Sequence, residues 1–133
     1  MGIYRNERCD RVILLVEDND RIRNAEAQVL GDCGYAVLTA ADAATALQHL
    51  AESRVDLMIT DIRLPGSVNG IALAKLTRAG WPATKIMIVG ADAGQFTPED
   101  GRDLADDMLQ KPFKLAELEE RSAKLMRIGD YAA

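Results

Sequence analysis

Short, almost continuously apolar segments alternate along this chain with longer segments in which apolar residues recur every three or four positions. The short segments have the length of strands, and they lie at residues 11–16, 35–40, 55–60, 85–90 and 107–110; those at 11–16 and 55–60 have the composition of deeply buried strands. The longer segments predict amphipathic helices over residues 20–33, 43–51 and 71–78, a short helix after Thr97, and a closing helix after Pro112.

Three of the predicted helices have recognisable faces or ends. The apolar face of the first comprises Ile22, Ala25, Val29 and Cys33, with Gly34 as a typical residue to end the helix. The second begins after Asp42, whose carboxylate is suited to capping free backbone N–H groups. The closing helix has one apolar side, formed by Leu115, Leu118 and Leu125.

This alternation of strands and helices predicts a doubly wound α/β fold. Each crossover between parallel strands is right-handed and packs its helix on the sheet, so that helices cover both faces. We therefore expect a five-stranded parallel sheet between two layers of helices, with five helices in all. Folds of this kind place their sites at the carboxyl ends of the strands, beside the switch in strand order.

The residues at the ends of the predicted strands carry most of the candidate chemistry. Glu17 and Asp18 follow the first strand, Asp61 follows the third, and Lys111 follows the fifth, while the fourth ends at Gly90. Because the carboxyl ends of parallel strands meet at one edge of a sheet, three carboxylates and one ammonium are expected to converge there.

Three carboxylates this close repel one another, so at neutral pH either one takes up a proton or a cation lies among them. Oxygen ligands of this kind suit Mg²⁺, which binds a few carboxylates together with a phosphate. Asp61, alone on its strand, is expected to be a nucleophile or a further ligand. Lys111 can act as a point charge on a phosphoryl oxygen. The set indicates phosphoryl transfer.

Simpler explanations apply to some of these polar residues. Asp20 is most simply a residue that caps the first helix. Capping does not account for Glu17 and Asp18, because it predicts nothing about charges on other strands. Asp56, at the start of a strand, is expected to have a turn or solvent role. His49, the only histidine, is expected to be a partly exposed surface residue.

Composition restricts the function further. The chain has 133 residues, of which 48% are hydrophobic, enough for one domain with a real core. A formal net charge of −5 argues against direct binding of DNA. No apolar run approaches the roughly 20 residues of a membrane span, and the start is too polar for a signal peptide, so a cytoplasmic protein is expected. Cys9 and Cys33 have neither metal-ligand nor redox spacing, and we expect both thiols to be reduced.

Three motifs, taken in this order and spacing, resemble those of the response regulator receiver domain of bacterial two-component signalling, the CheY-like class. They are the acidic pair in "VEDND", the aspartate in "LMITDIRLPG" and the "KPF" after the fifth strand. The resemblance covers roughly residues 11–127 and implies a flavodoxin-like sheet of order 2-1-3-4-5. It leaves residues 1–10 and 128–133 as tails, without an output domain.

The resemblance also implies roles for single residues. Asp61 matches the aspartate that accepts a phosphoryl group from a sensor histidine kinase or a histidine phosphotransfer protein. Mg²⁺ would be held by Glu17, Asp18 and Asp61, with the backbone carbonyl of Arg63 completing the shell, and Lys111 would contact the phosphoryl group. Such a domain signals by binding a downstream protein and is not an enzyme in the usual sense. Ile22, next to the acidic pair, is a candidate for the kinase contact.

Two positions depart from the family pattern. Gly90 stands where such domains typically have Ser or Thr, whose hydroxyl bonds the phosphoryl group, and Met108 stands where many have an aromatic residue. The glycine is most simply explained by a tight turn that needs positive φ, and the methionine by gap filling in the core. The backbone N–H groups of Gly90 and Ala91 are expected to bind the phosphoryl oxygens instead.

Two other functions remain open at this point. One is a pseudo-receiver that binds partners without being phosphorylated. The other is a Mg²⁺-dependent phosphohydrolase with an aspartyl-phosphate intermediate. Such hydrolases commonly have a second acid two residues after the nucleophile, and Arg63 occupies that place here.

Overall fold

The computed structural model of the chain describes residues 11–91 and 104–132, with 128–132 described by their backbone alone. Its strands are β1 Val12–Val16, β2 Ala36–Ala40, β3 Leu57–Asp61, β4 Lys85–Gly90 and β5 Asp107–Gln110. Its helices are α1 Asp20–Asp32, α2 Ala43–Glu52, α3 Gly70–Gly80 and α4 Leu115–Ala132. All five predicted strands are thus present, with β3 starting two residues later than predicted and α3 ending two residues later.

The five strands form one parallel sheet in the order β2-β1-β3-β4-β5. This confirms the predicted doubly wound sheet and its order. The chain runs outward from β1 to β2 and then returns to the other side of β1, so the topological switch lies between β1 and β3. Five helices were expected, but the described residues contain four. The short helix predicted after Thr97 falls outside them.

The core has two parts, one on each face of the sheet. Successive side chains of a strand point to opposite faces, so that Leu14 of β1 belongs to one cluster and Ile13 and Leu15 to the other. The first cluster includes buried residues of α2 and α3, and the second includes residues of α1 and α4. The nearly continuous apolar strands of the sequence are therefore explained by burial on both faces.

Helix α1 does not bury the face predicted for it. Its buried residues are Glu26 and Leu30, whereas Ile22 is 39% exposed and Ala25 is exposed. Small or apolar residues occur on several sides of this helix, and tertiary packing selected a side that includes an acid. Cys33, which belongs to the predicted apolar face, is half-buried.

Side-chain oxygens cap the first three helices. At α1 the cap is Asn19, which accepts from the Ile22 N–H at 3.0 Å, and not Asp20, which instead forms an ion pair with Arg23 at 2.6 Å. Asp42 caps α2 as predicted, accepting from Thr45 at 2.8 Å. At α3 the cap is Asn69.

Asp56 and His49, which were not predicted to belong to the site, have structural contacts. Asp56 accepts a hydrogen bond from the Val12 N–H at 2.8 Å and so holds the start of β1, a long-range contact rather than the turn or solvent role predicted for it. His49 is partly exposed and its Nε2 lies 3.0 Å from the Thr39 carbonyl. Across the described ranges, none of the helices combines the length and apolar character that a membrane span requires.

Candidate functional site

The backbone at the carboxyl edge of the sheet continues the strand ladder by one residue. The N–H of Glu17 donates to Ala40 at 2.9 Å, and the N–H of Ile62 donates to Val89 at 3.0 Å. The N–H of Lys111 donates to Gly90 at 3.0 Å. The residues next to the strand ends are therefore positioned by the sheet itself.

These positions bring the predicted acids together. One carboxylate oxygen from each of Glu17, Asp18 and Asp61 can be chosen so that all three lie within 4.8 Å of one another. Glu17 is buried, Asp61 is half-buried and Asp18 is exposed, so the group opens to solvent on one side. Oxygen-only ligands on a rigid edge, with one side open for water or phosphate, fit the requirements of Mg²⁺.

Lys111 extends into the same group. Its Nζ lies 2.9 Å from Asp61 Oδ2 and 3.4 Å from Glu17 Oε1. Partial burial acts to lower the pKa of Lys111. The hydrogen bond and charge of Asp61, together with Glu17, outweigh burial, so the pKa is raised above its ordinary value. The ammonium therefore remains charged beside the carboxylate of Asp61.

Its surroundings in this cluster raise the pKa of Glu17 above its ordinary value. Burial raises its pKa, and the charge of Asp61 adds to the rise. The Asn19 N–H, which donates to Glu17 at 3.0 Å, and the charge of Lys111 act in the opposite direction without cancelling it. A divalent cation among these oxygens would favour the charged form of Glu17.

A cavity of about 410 Å³ lies outside the acids, and Asp18, Asp61 and Lys111 line it. Arg63, Gly90 and Ala91 also line it, so that every residue predicted for the site borders either the cavity or the acid cluster. The side chain of Gln110 donates to the Ala91 carbonyl and links this loop to β5.

The structure explains the glycine at position 90 differently from the prediction. Positive φ occurs in the described residues at Gly34 and Gly66, so the tight-turn explanation of Gly90 is wrong. Gly90 ends β4, and a Cβ atom there would lie 2.9 Å from Cδ1 of Ile62. The missing side chain makes room for Ile62. Met108 is half-buried against the core cluster that contains Leu14, which agrees with gap filling.

We expect Gly90→Ala to lower the free energy of unfolding by about 1 kcal/mol, because the side chain of Ile62 must move aside. Ile62→Val removes the nearest carbon and should relieve part of this cost. A double-mutant cycle in urea should give a coupling of at least about 0.5 kcal/mol between the two sites. Strictly additive effects would show that Ile62 does not restrict this position.

Sequence reasoning missed Glu26, which is only 5% exposed although it is an acid. Burial, followed by the charge of Glu17, raises its pKa to about 7, and Asp61 adds to the rise while Lys111 opposes it. The sequence does hold a signal for its position. Glu26 is four residues from both Ile22 and Leu30, so it lies in one row of a helix with two apolar residues.

Glu26→Gln should stabilise the protein at pH 8 and have little effect at pH 5. The pKa of Glu26 in the folded protein is about 7, above the ordinary 4.5, so the protonated acid favours folding. This contribution is full below about pH 4.5 and is lost as the pH rises through 7. After allowance for solvent screening, we expect a gain of about 1–2 kcal/mol at pH 8.

Urea unfolding of the wild type and of Glu26→Gln at pH 5 and pH 8 measures the difference in the free energy of unfolding. Glu120→Gln, on the exposed side of α4, is the matched control. Equal effects of Glu26→Gln at the two pH values would mean that the carboxyl group of Glu26 titrates as an ordinary acid.

The fold and this edge together define a class of protein: a doubly wound parallel sheet with an acid cluster and one lysine beside the topological switch. The profile of the response regulator receiver domain matches residues 13–123, and the chain belongs to that family. Receiver domains are signalling domains of two-component systems, and phosphorylation and Mg²⁺ binding are typical of them.

Several known proteins are similar to this chain. The transcriptional regulatory protein DltR of Streptococcus agalactiae is 35% identical over 107 residues, covering 80% of this chain and 47% of DltR. The transcriptional activator protein PfeR of Pseudomonas aeruginosa is 35% identical over 116 residues, covering 86% of this chain and 37% of PfeR. The chain thus spans about half or less of the length of these relatives.

Solved structures show the same fold. The receiver domain of NtrX from Brucella abortus has a TM-score of 0.79 at 30% identity, covering 86% of this chain and 98% of that domain. A CheY-like receiver domain protein from Methanospirillum hungatei has a TM-score of 0.83 at 24% identity, covering 93% of this chain and 99% of its own. At that identity the second likeness shows the fold alone.

Proposed function

We propose that Asp61 accepts a phosphoryl group from a sensor histidine kinase or a histidine phosphotransfer protein, in a reaction that requires Mg²⁺. The observation that carries this proposal is the cluster itself: oxygens of Glu17, Asp18 and Asp61 lie within 4.8 Å of one another, and the Lys111 ammonium lies 2.9 Å from Asp61. A role in capping or solvation would not require charges from three separate strands to meet.

In this reaction a carboxylate oxygen of Asp61 attacks the phosphorus of a phosphohistidine. A P–O bond forms as the P–N bond breaks, and the electron pair of the broken bond stays on the departing imidazole, which takes a proton from solvent. Mg²⁺ bound by Glu17, Asp18 and Asp61 would offset the charge of the phosphoryl oxygens. Lys111 already donates to Asp61 and provides a second positive charge on the side of β5.

The remaining site residues act through their backbone in this proposal. The carbonyl of Arg63, two residues beyond the acceptor, completes the oxygen shell of the metal. The N–H groups of Gly90 and Ala91 bind phosphoryl oxygens, taking the place of a side-chain hydroxyl. The position of all three on the wall of the 410 Å³ cavity supports these roles.

We further propose that the response to phosphorylation does not follow the route usual for the family. Gly90 has no hydroxyl to draw towards the phosphoryl group, and Met108 is packed against the core. Amide NMR spectra with and without a beryllofluoride mimic and Mg²⁺ should therefore change little along β5 and α4. Large shifts throughout those two elements would contradict the proposal.

The proposed output is a protein–protein contact in the cytoplasm, made without nucleic acid, in keeping with the net charge of −5. The domain turns over no substrate of its own. Arg63 stands where a phosphohydrolase of this mechanism commonly has a second acid, which favours a persistent phosphoryl group over rapid hydrolysis.

Mass spectrometry of the chain treated with acetyl phosphate tests the proposal, with and without Mg²⁺. We expect one added phosphoryl group that depends on the metal. Continuous release of inorganic phosphate without accumulation of labelled protein would instead support the phosphohydrolase. Absence of labelling, together with no binding of beryllofluoride, would support the pseudo-receiver.

A further inference from the structure

A second concave region lies between α1 and the start of α4. It is a groove of about 550 Å³, and its apolar walls include Ile22, Phe113 and Leu115. Ile22 and Leu115 are 39% and 37% exposed, which is unusual for large apolar side chains in the described part of this chain. The groove is distinct from the cavity at Asp61, although Ala91 and Lys111 border both.

The carboxyl group of Glu26 lines this groove and has no partner in the described residues. The other buried polar side chains of residues 11–91 and 104–127 are all hydrogen-bonded. The hydroxyls of four of them donate to backbone carbonyls, namely Thr60, Thr77, Thr84 and Ser122. Glu17 accepts from the Asn19 N–H and from Lys111. Glu26 is therefore the exception among these buried polar groups.

Glu26 lines the groove although it is only 5% exposed. Within the described ranges, no side-chain oxygen or nitrogen is both inaccessible and without a partner. Lys111 does not satisfy the carboxyl oxygens of Glu26, because its ammonium is engaged by Asp61 and Glu17. Within residues 11–91 and 104–127 no group donates to Glu26, and a ligand in the groove can supply that donor.

We propose that this groove binds a small amphipathic cation, with a primary ammonium on the Glu26 carboxylate and an apolar body against Ile22, Phe113 and Leu115. A groove with mostly apolar walls and one polar group at its base has the general form of a small-molecule site. Phe113 offers an aromatic ring to the same ligand, and aromatic faces attract cations. The inference does not depend on phosphorylation of Asp61.

Binding of 2-phenylethylamine to the whole chain tests this proposal by ¹⁵N amide NMR at pH 8, above the pKa of Glu26, which is about 7. Excess Mg²⁺ keeps the acid cluster from acting as a competing cation site. We expect saturable shifts centred on residues 22–26 and 113–115. The isosteric neutral 2-phenylethanol should bind at least tenfold more weakly, because it brings no charge to Glu26.

Two variants separate the parts of the site. Glu26→Gln keeps the shape of the groove and should weaken binding of the amine at least tenfold while leaving that of the alcohol unchanged. Leu115→Ser removes an exposed wall and should weaken binding of both compounds. Asp20→Asn, an exposed acid on the same helix, is the matched control and should change neither.

Equal affinity for amine and alcohol, or an undiminished affinity for the amine in Glu26→Gln, would overturn the proposal. Shifts confined to residues 17–18 and 61 would do so as well, since they would place the amine at the acid cluster.

Discussion

Asp61→Asn is expected to abolish phosphoryl uptake from acetyl phosphate, with no labelled protein above background in the mass spectrum. The amide retains the shape of the side chain but is a far weaker nucleophile than a carboxylate. It also removes one negative charge from the oxygen cluster, so that affinity for Mg²⁺ should fall. Both effects act on the same step, which makes this the largest expected loss.

The matched control is Asp20→Asn, which removes a carboxylate close in sequence to the acid pair. The side chain of Asp20 is 82% exposed and its ion pair is with Arg23, outside the cluster. Labelling should therefore continue at the wild-type rate. If Asp61→Asn were still labelled in full, the phosphoryl group would have to reside on another side chain, and peptide mapping would identify it.

Gly70→Ala is expected to destabilise the protein by about 3 kcal/mol or to prevent folding. Gly70 is the first residue of α3, and its N–H donates to the Ile62 carbonyl at 2.7 Å. A Cβ atom at this position would overlap the backbone oxygen of Asp61 and lie 2.8 Å from Cα of Ile62. Since these are backbone atoms, no rotamer change can relieve the overlap.

The same substitution should impair the site in any protein that still folds. To admit the methyl group, the start of α3 has to move away from the end of β3. The methyl group would overlap the backbone of Asp61, so this residue is displaced most directly. We expect weaker Mg²⁺ binding by calorimetry in addition to a lower midpoint of urea unfolding.

Gly80→Ala provides the control at the other end of α3, because a Cβ there meets nothing within 4 Å and φ is not positive. Alanine should favour the helix at that position by about 0.5–1 kcal/mol. The two substitutions are therefore expected to have opposite signs. Similar losses from both would mean that helix propensity, and not the close approach at Asp61, governs the response.

The sequence was sufficient to predict the sheet, because buried strands leave a strong and simple pattern. Residues 85–90 and 107–110 form strands with the predicted bounds, and the rule about strand ends placed Glu17, Asp61 and Lys111 at one edge. These predictions rest on local composition and on topology, which depend little on the details of side-chain packing.

Predictions that depended on packing were less successful. The prediction of the buried face of α1 was wrong, because several sides of this helix have small or apolar residues. Only contact with α4 and the sheet selects which of these sides is buried. The explanation predicted for Gly90, a tight turn, was wrong for a similar reason. Its neighbour in space is Ile62, 28 residues earlier in the chain, and one sequence does not reveal such a pair.

The ladder that continues past β1, β3 and β5 has a mechanical consequence for the proposed chemistry. The backbone of Glu17 and Lys111 is hydrogen-bonded to the sheet, and Asp61 lies in β3 itself, so these residues can be displaced only by breaking hydrogen bonds of the sheet. Their spacing is set by the sheet, so mutation can remodel the outer surfaces for new recognition while the reactive group keeps its alignment.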